Sequence, residues 1–186
     1  STPSGQLQGH VSAKNPSIRV FRGVPYAKPP VGEARFSPPQ PIAPWEGVRD
    51  ATRDPLPCWQ AHSEDAFVWS RGVFDRSEDC LYLTVWAEEV DEPRPVMVWL
   101  HGGAHTGGWG HHPIFDGTAL AEAGVIVVTV NYRLGPWGFL AAPMLSEAAP
   151  RKGSGNYGLL DAVEALHWVQ THICLLYTSD AADEWI

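Results

Sequence analysis

Two short runs, PVMVWL (Pro95–Leu100) and VIVVTV (Val125–Val130), are apolar at almost every position. A strand apolar on both faces has to be covered on both faces, which is the condition of a central strand in a parallel sheet flanked by helices. Between the two runs, Asp116–Ala123 begins with a helix-starting acid and is followed by Gly124, a stop signal. That order reads as one strand–helix–strand unit. A longer helix is expected from about Leu159 to Ile173, because Leu159, Val163, Leu166, Val169 and Ile173 recur at helical spacing and share one face. The class this implies is α/β, a sheet with covering helices.

Upstream, Gln6–Val11 and Ile18–Arg22 are β-prone runs flanking Ala13-Lys14-Asn15-Pro16-Ser17, which predicts an antiparallel hairpin. Phe21 to Trp45 carries Pro25, Pro29, Pro30, Pro38, Pro39, Pro41 and Pro44, so it is expected to run as an extended surface wrap without helix. Leu81–Trp86 alternates and reads as a strand. No internal repeat or low-complexity linker interrupts the 186 residues, enough for one domain with a hydrophobic core. The net charge of -8, from 13 basic against 21 acidic residues with no basic cluster, argues against a nucleic-acid or anionic-membrane surface. The longest apolar stretch, Val125–Val130, is far too short to span a bilayer. Ser1–Gln8 lacks the charged-then-apolar pattern of a signal peptide, and the absence of an initiator Met leaves room upstream for one. Cys58 and Cys80 are 22 positions apart. Bridged, they would stabilise the fold by roughly 3 kcal/mol and favour a secreted or periplasmic location over a cytoplasmic one. Unbridged, they are two small buried hydrophobes, and the residues alone leave both readings open.

The chemistry concentrates in Val96–Gly108, VMVWLHGGAHTGG, where a buried strand runs straight into His101-Gly102-Gly103-Ala104. Small residues let the backbone turn sharply there, so consecutive N–H groups can face one cavity. Two such donors are what a tetrahedral acyl intermediate requires, because its oxyanion carries charge that the ground-state carbonyl lacks. A loop of this type forms half of the oxyanion hole in lipases and esterases. Taken alone the tetrapeptide is a weak signal, since glycine-rich turns after strands are common.

Its surroundings strengthen it. FRGVPYAKPPVG (Phe21–Gly32), RFSPPQP (Arg35–Pro41), PWEGVRDAT (Pro44–Thr52), SEDCLYLTVW (Ser77–Trp86), VNYRLGPWGFL (Val130–Leu140) and GNYGLLDAVEALHWV (Gly155–Val169) resemble, in order and spacing, the N-terminal part of type-B carboxylesterases and cholinesterase-like proteins. The resemblance covers nearly all of residues 4–173. It implies an α/β-hydrolase fold: the N-terminal part of a mostly parallel central sheet, with an antiparallel N-terminal hairpin and covering helices. It also implies that Gly103 and Ala104 supply oxyanion-hole N–H groups, with Gly102 shaping the turn. Ala in place of a commoner third glycine still carries an N–H; His105 stands where an aromatic residue is more usual. Arg35 and Glu78 correspond to a buried structural ion pair of the family, and Cys58 and Cys80 to its first disulfide. The implied substrate is a small-molecule ester, and no cofactor is expected.

The other candidates have plainer readings. The spacing of His105, His111 and His112 fits no standard zinc pattern, and Pro113 with nearby glycines suggests an exposed loop, so no metal is expected. Trp86, Trp109 and Trp137 could line a substrate gorge, although core packing suits Trp86 at least as well. Glu64, Asp65, Glu88 and Glu89 read as solvated surface charge. The serine elbow G-x-S-x-G of such hydrolases does not occur in the sequence, and Gly153-Ser154-Gly155 is too short to be one.

Residues 1–173 are therefore expected to be a partial α/β-hydrolase domain. The tail from Cys174 to Glu184, CLLYTSDAADE, matches the conceptual translation of a transposase sequencing adapter, so residues 174–186 are expected to be non-native. Two functions follow: a serine esterase of which these residues carry the oxyanion loop, or a catalytically inactive cholinesterase-like adhesion or scaffold protein. The intact loop favours the first.

Overall fold

The computed structural model describes residues 2–61, 74–90, 92–149 and 153–174. The expectations for Glu64, Asp65 and the tail beyond Cys174 therefore lie outside the described residues. Strands β1 (Gln6–Gln8), β2 (His10–Val11), β3 (Ile18–Pro25), β4 (Val48–Asp50), β5 (Tyr82–Glu88) and β6 (Val96–Leu100) are followed by helix α1 (Thr118–Glu122), strand β7 (Ile126–Val130) and helices α2 (Gly135–Phe139), α3 (Pro143–Ala148) and α4 (Tyr157–Val169). Five strands form one sheet in the order β2-β3-β5-β7-β6. Only β6 and β7 run parallel in it, joined by the α1 crossover; β2–β3, β3–β5 and β5–β7 are antiparallel. The described part of the sheet is thus mixed.

The strand–helix–strand unit forms as its sequence implies. α1 is shorter than Asp116–Ala123: Asp116 stands ahead of it and accepts from the Thr118 N–H at 3.0 Å, and Gly124 ends it at φ 87°. β7 explains why its run is apolar throughout. Ile126, Val128 and Val130 face one core with Leu83, Val85, Ala165, Trp168 and Val169, under α4. Val127 faces the other with Ile18, Val20, Trp86 and Ala121, under α1. Strand alternation sends neighbouring side chains to opposite layers, and both layers are dry.

Three expectations need correction. Gln6–Val11 does not enter the hairpin as one strand. It breaks at Gly9, where a Cβ would lie 2.5 Å from the Val20 carbonyl oxygen and 2.7 Å from the Phe21 ring. Only β2 pairs with β3, while β1 pairs in parallel with β4 as a separate ribbon. The wrap from Phe21 holds β3 as far as Pro25 and one 3-10 turn, Gly32–Ala34, but no α-helix. Third, Val125–Val130, as the last apolar run, reads from the sequence as a strand lacking later neighbours and so an exposed edge. The apolar edge falls instead on β6, because β7 sits between β5 and β6.

The face of the long helix also differs from its periodicity. The helix is α-helical through Val169 and continues as a π turn, Gln170–Cys174. Val169 and Ile173 are buried, but Leu159, Val163 and Leu166 are 45–50% exposed. The buried face carries Tyr157, Gly158, Asp161, Ala165 and Trp168 instead. Small residues let the helix approach closely: a Cβ on Gly158 would lie 2.4 Å from the Arg133 carbonyl oxygen. At the centre of that contact Arg133 and Asp161 are 3% and 0% exposed. Arg133 Nε and NH2 donate to the carboxylate at 2.8 and 2.7 Å, and the Arg133 N–H donates at 3.0 Å. Apolar spacing finds a face, but a buried ion pair on the opposite face leaves no apolar signal.

The apolar stripe of α4 and the β6 edge, where Trp99 and Leu100 are over 40% exposed, each present exposed hydrophobic side chains of the kind that drive association. The chain is expected to self-associate at micromolar concentration. Sedimentation velocity checks this, and Leu159→Glu with Leu166→Glu should shift the distribution toward monomer. A wild-type chain that stays monomeric with one sharp thermal transition would contradict it.

Candidate functional site

β6 ends at Leu100, and the loop that follows is built on an unusual backbone. Gly103, Ala104 and His105 all have positive φ, at 133°, 52° and 60°. For residues with a Cβ this region costs about 1–2 kcal/mol each, so neighbouring structure must hold it. The Gly103 carbonyl accepts from the Thr106 N–H at 3.0 Å, the Gly107 N–H at 3.2 Å and the Thr106 hydroxyl at 3.0 Å. Across a trans peptide the Ala104 N–H must point the opposite way. Among the described residues nothing accepts from the N–H of Gly103 or Ala104.

Anchors surround the loop on every side. His101 is buried and stacks on Tyr132 at 4.5 Å, and the Tyr132 hydroxyl donates to the His101 carbonyl at 2.7 Å. Burial raises the Tyr132 pKa, keeping the phenol a donor. The Gly135 N–H donates to the His105 carbonyl at 2.6 Å, and the His105 ring stacks on Phe139 at 4.5 Å. Asn131, itself held through its carbonyl by the Tyr26 hydroxyl, accepts from the Gly110 N–H at 2.7 Å. Gly110 needs its lack of a side chain, since a Cβ there would lie 2.8 Å from the Val130 nitrogen. The segment Asn131–Gly135, just past β7, thus grips the loop in three places.

Gly102 and Gly103 line a cavity of about 490 Å³ whose other walls are Trp99, Leu100, Gly108, Trp109, His112, Ile114 and Phe115. Ala104 and His105 line a separate depression with Gly135, Pro136 and Phe139. The loop therefore presents its glycines to one hollow and its next two residues to another. Trp109 lies on the cavity wall, Trp86 is 2% exposed in the core beneath α1, and Trp137 stacks on Trp59 at 5.8 Å. Trp86 and Trp137 do not share the cavity with Trp109.

Cys58 and Cys80 form a disulfide with Cα atoms 5.0 Å apart, both buried. Arg35 and Glu78 form a bidentate pair with two bonds of 2.7 Å. It lies at the surface rather than buried, with 43% of the Arg35 side chain exposed, because it staples the wrap from outside. Glu89 is a solvated surface charge, 73% exposed and paired with Arg19 at 2.8 Å, whereas Glu88 is partly covered and lies 3.5 Å from Arg94. The three histidines serve separate neighbours. His105 has Phe139, His111 Nδ1 lies 3.4 Å from Asn131 Nδ2, and His112 Nδ1 accepts from the Ile114 N–H. Among the described residues no group of metal-ligating side chains converges.

Sequence reasoning missed Gln60, Asn131, Tyr132, Arg133 and Asp161. Their one legible signal was polarity in apolar company: Asn131-Tyr132-Arg133 directly after a buried strand, and Asp161 inside an apolar helix.

The family model described as "Carboxylesterase family" matches residues 1–175. The chain is 46% identical over 174 residues to a fumonisin B1 esterase of Sphingopyxis macrogoltabida, covering 92% of this chain and 31% of that protein. It is 46% identical over 176 residues to the para-nitrobenzyl esterase of Bacillus subtilis, covering 93% and 34%. Among solved structures, a PNB esterase superposes with a TM-score of 0.81 at 43% identity, covering 93% of this chain and 34% of that one. A Geobacillus stearothermophilus carboxylesterase gives 0.80 at 40% identity, covering 95% and 34%. The fold is accordingly the N-terminal part of an α/β-hydrolase, and the chain spans about a third of the length of these relatives.

His111 gives this region a pH dependence. Burial lowers its pKa from 6.5 to about 4, against a smaller opposing pull from Asp54. The folded value lies below the unfolded one, so its contribution is complete above about pH 6.5 and is lost as pH falls toward 4. Between pH 7 and pH 5 the loss is expected to be about 2 kcal/mol. Urea unfolding followed by tryptophan fluorescence checks this, and His111→Gln should flatten that slope.

Proposed function

The chain belongs to the carboxylesterase family, and on that premise we propose that the whole protein is a serine-dependent carboxylic-ester hydrolase to which these residues contribute the oxyanion loop. Serine attacks the ester carbonyl, histidine takes the serine proton, and the N–H groups of Gly103 and Ala104 hold the oxygen as it becomes charged. Gly102 shapes the turn that presents them. The serine, acid and histidine are assigned to sequence outside these 186 residues, and the chain by itself is inactive.

The observation that carries this reading is the pinned backbone of residues 103–105. The Gly103 carbonyl is turned back into its own loop, and the Ala104 N–H on the same peptide is left facing away without a protein acceptor. Donors fixed before the reaction need no reorganisation when charge develops, and removing one such donor costs about 100- to 1,000-fold in kcat. The neighbouring cavity, walled by Trp99, Leu100, Trp109, Ile114 and Phe115, suits an apolar portion of a small ester.

Two measurements test the proposal. The purified chain is expected to give no burst of nitrophenolate from a p-nitrophenyl ester; a stoichiometric burst would overturn its assigned inactivity. Re-sequencing the source DNA past the codon for Ile173 is expected to continue into a strand and a G-x-S-x-G elbow, and the protein so completed should hydrolyse the ester. A frame that continues with no serine at the elbow would favour the inactive scaffold protein instead. Recovery of CLLYTSDAADEWI followed by a stop codon would sink both the adapter origin of residues 174–186 and the esterase assignment.

A further inference from the structure

We propose that Gln60 is a positioning residue that transmits the constraint of the Cys58–Cys80 disulfide to the neck of the oxyanion loop. This rests on the reading of that loop given above. The loop that leaves β6 at His101 closes on itself at Gly108. Gly108 has φ 114°, and a Cβ placed on it would lie 2.3 Å from His101 Nδ1 and 2.6 Å from the Gly102 carbonyl oxygen. The start and the end of the loop are therefore in backbone contact, and whatever fixes Gly108 fixes Gly102.

Gln60 does so with a complete set of hydrogen bonds. Its side-chain oxygen accepts from the Gly108 N–H at 2.7 Å, and its Nε2 donates to the Gly108 carbonyl at 2.9 Å. The amide pairs with the Gly108 backbone as a neighbouring strand would, two bonds to one residue. The second Nε2 hydrogen goes to the Cys58 carbonyl at 3.0 Å. Gln60 is 5% exposed, so these bonds compete little with water.

The amide is also held from behind. Cys58 is bonded to Cys80, immediately before β5 in the centre of the sheet. The Gln60 carbonyl accepts from Arg76 NH1, and the Arg76 guanidinium lies 4.8 Å from the Trp59 ring centre. Trp59 in turn stacks on Trp137 of α2. A segment far from the loop in sequence, 48 residues before Gly108, is thus tied to the sheet by a covalent bond and to the loop by an amide. Without Gln60, the part-buried N–H and C=O of Gly108 would need new partners.

The test is amide hydrogen exchange at single-residue resolution on the 186-residue chain, with β5 amides as the internal control. In Gln60→Leu the protection of Gly108 is expected to fall at least about 10-fold with β5 unchanged within about twofold. Gln60→Glu supplies a readout that a packing role would not move. A neutral carboxylic acid keeps one acceptor and one donor, whereas the carboxylate faces two carbonyl oxygens. Gly108 protection in that variant, corrected for intrinsic exchange, should therefore rise about 10-fold from pH 8 to pH 5.5. Reduction of the disulfide by a phosphine, which passes two electrons to sulfur and becomes its oxide as water supplies the oxygen and two protons, should lower Gly108 protection in the wild type. It should add little in Gln60→Leu. Unchanged Gly108 protection in Gln60→Leu, an equal loss across β5, or a flat pH response in Gln60→Glu would overturn the proposal. The exchange pattern requires no ester chemistry. Failure of the completed protein to hydrolyse esters while the pattern holds would refute the esterase reading alone.

Discussion

An ion pair with almost no water around it, Arg133 with Asp161, decides where three separate parts of the chain can lie. Arg133 follows β7, Asp161 sits on α4, and the remaining guanidinium nitrogen NH1 donates to the Ser37 carbonyl in the proline-rich wrap. The planar fork of arginine fits this task because it can meet a carboxylate on two atoms and still spare a donor. Replacing such a pair by apolar residues of equal volume can be nearly neutral, whereas removing one partner costs about 3–5 kcal/mol. Its value here is geometric. Only one register of α4 against β7 satisfies both charges, and burial raises the Asp161 pKa while the Arg133 bonds oppose that rise.

Fixing Arg133 fixes its neighbours, and the neighbours hold the loop. Asn131 takes the Gly110 N–H, Tyr132 donates to the His101 carbonyl, and the Gly135 N–H donates to the His105 carbonyl. Four residues of one five-residue segment therefore carry both the ion pair and the loop contacts. This is economical in physical terms. The segment leaves a fully buried strand, so its first polar groups appear where water is already excluded and each must find a protein partner. The loop after β6 provides partners for Asn131, Tyr132 and Gly135, and α4 provides the partner for Arg133.

The strands were legible because burial on two faces leaves an unbroken apolar run, as in Ile126–Val130, and the loop was legible because only small residues permit its turn. The face of α4 was not. Leu159, Val163 and Leu166 repeat as a core stripe would, yet the buried face is Gly158 against Arg133 and Phe139, Asp161 against Arg133, and Ala165 in the core. Periodicity reports that a face is apolar and is silent on which partner covers it. The break at Gly9 and the exchange of edges between β6 and β7 were invisible for a related reason: both are set by pairings between residues distant in sequence. The disulfide came through family resemblance, since spacing alone allowed two free thiols. Gln60 left no signal, because a single glutamine two positions after a cysteine looks like any surface amide until the fold brings Gly108 to it.

The loop is held in a costly backbone by the groups packed and hydrogen-bonded around it, and that bears on how it is assembled. Ala104 and His105 sit at positive φ, a conformation they would leave if released. What offsets that tendency lies entirely in the described part of the chain: the Gly135 bond and Phe139 stack at His105, Tyr132 at His101, and the Gln60 amide at Gly108. None of these requires a nucleophile to be present. The backbone of residues 103–105 is thus set by the fold. Under the esterase proposal this ordering matters, because an oxyanion is stabilised most when dipoles are already aligned before charge appears. The strain at residues 104 and 105 is met during folding, when burial of the surrounding core can offset it.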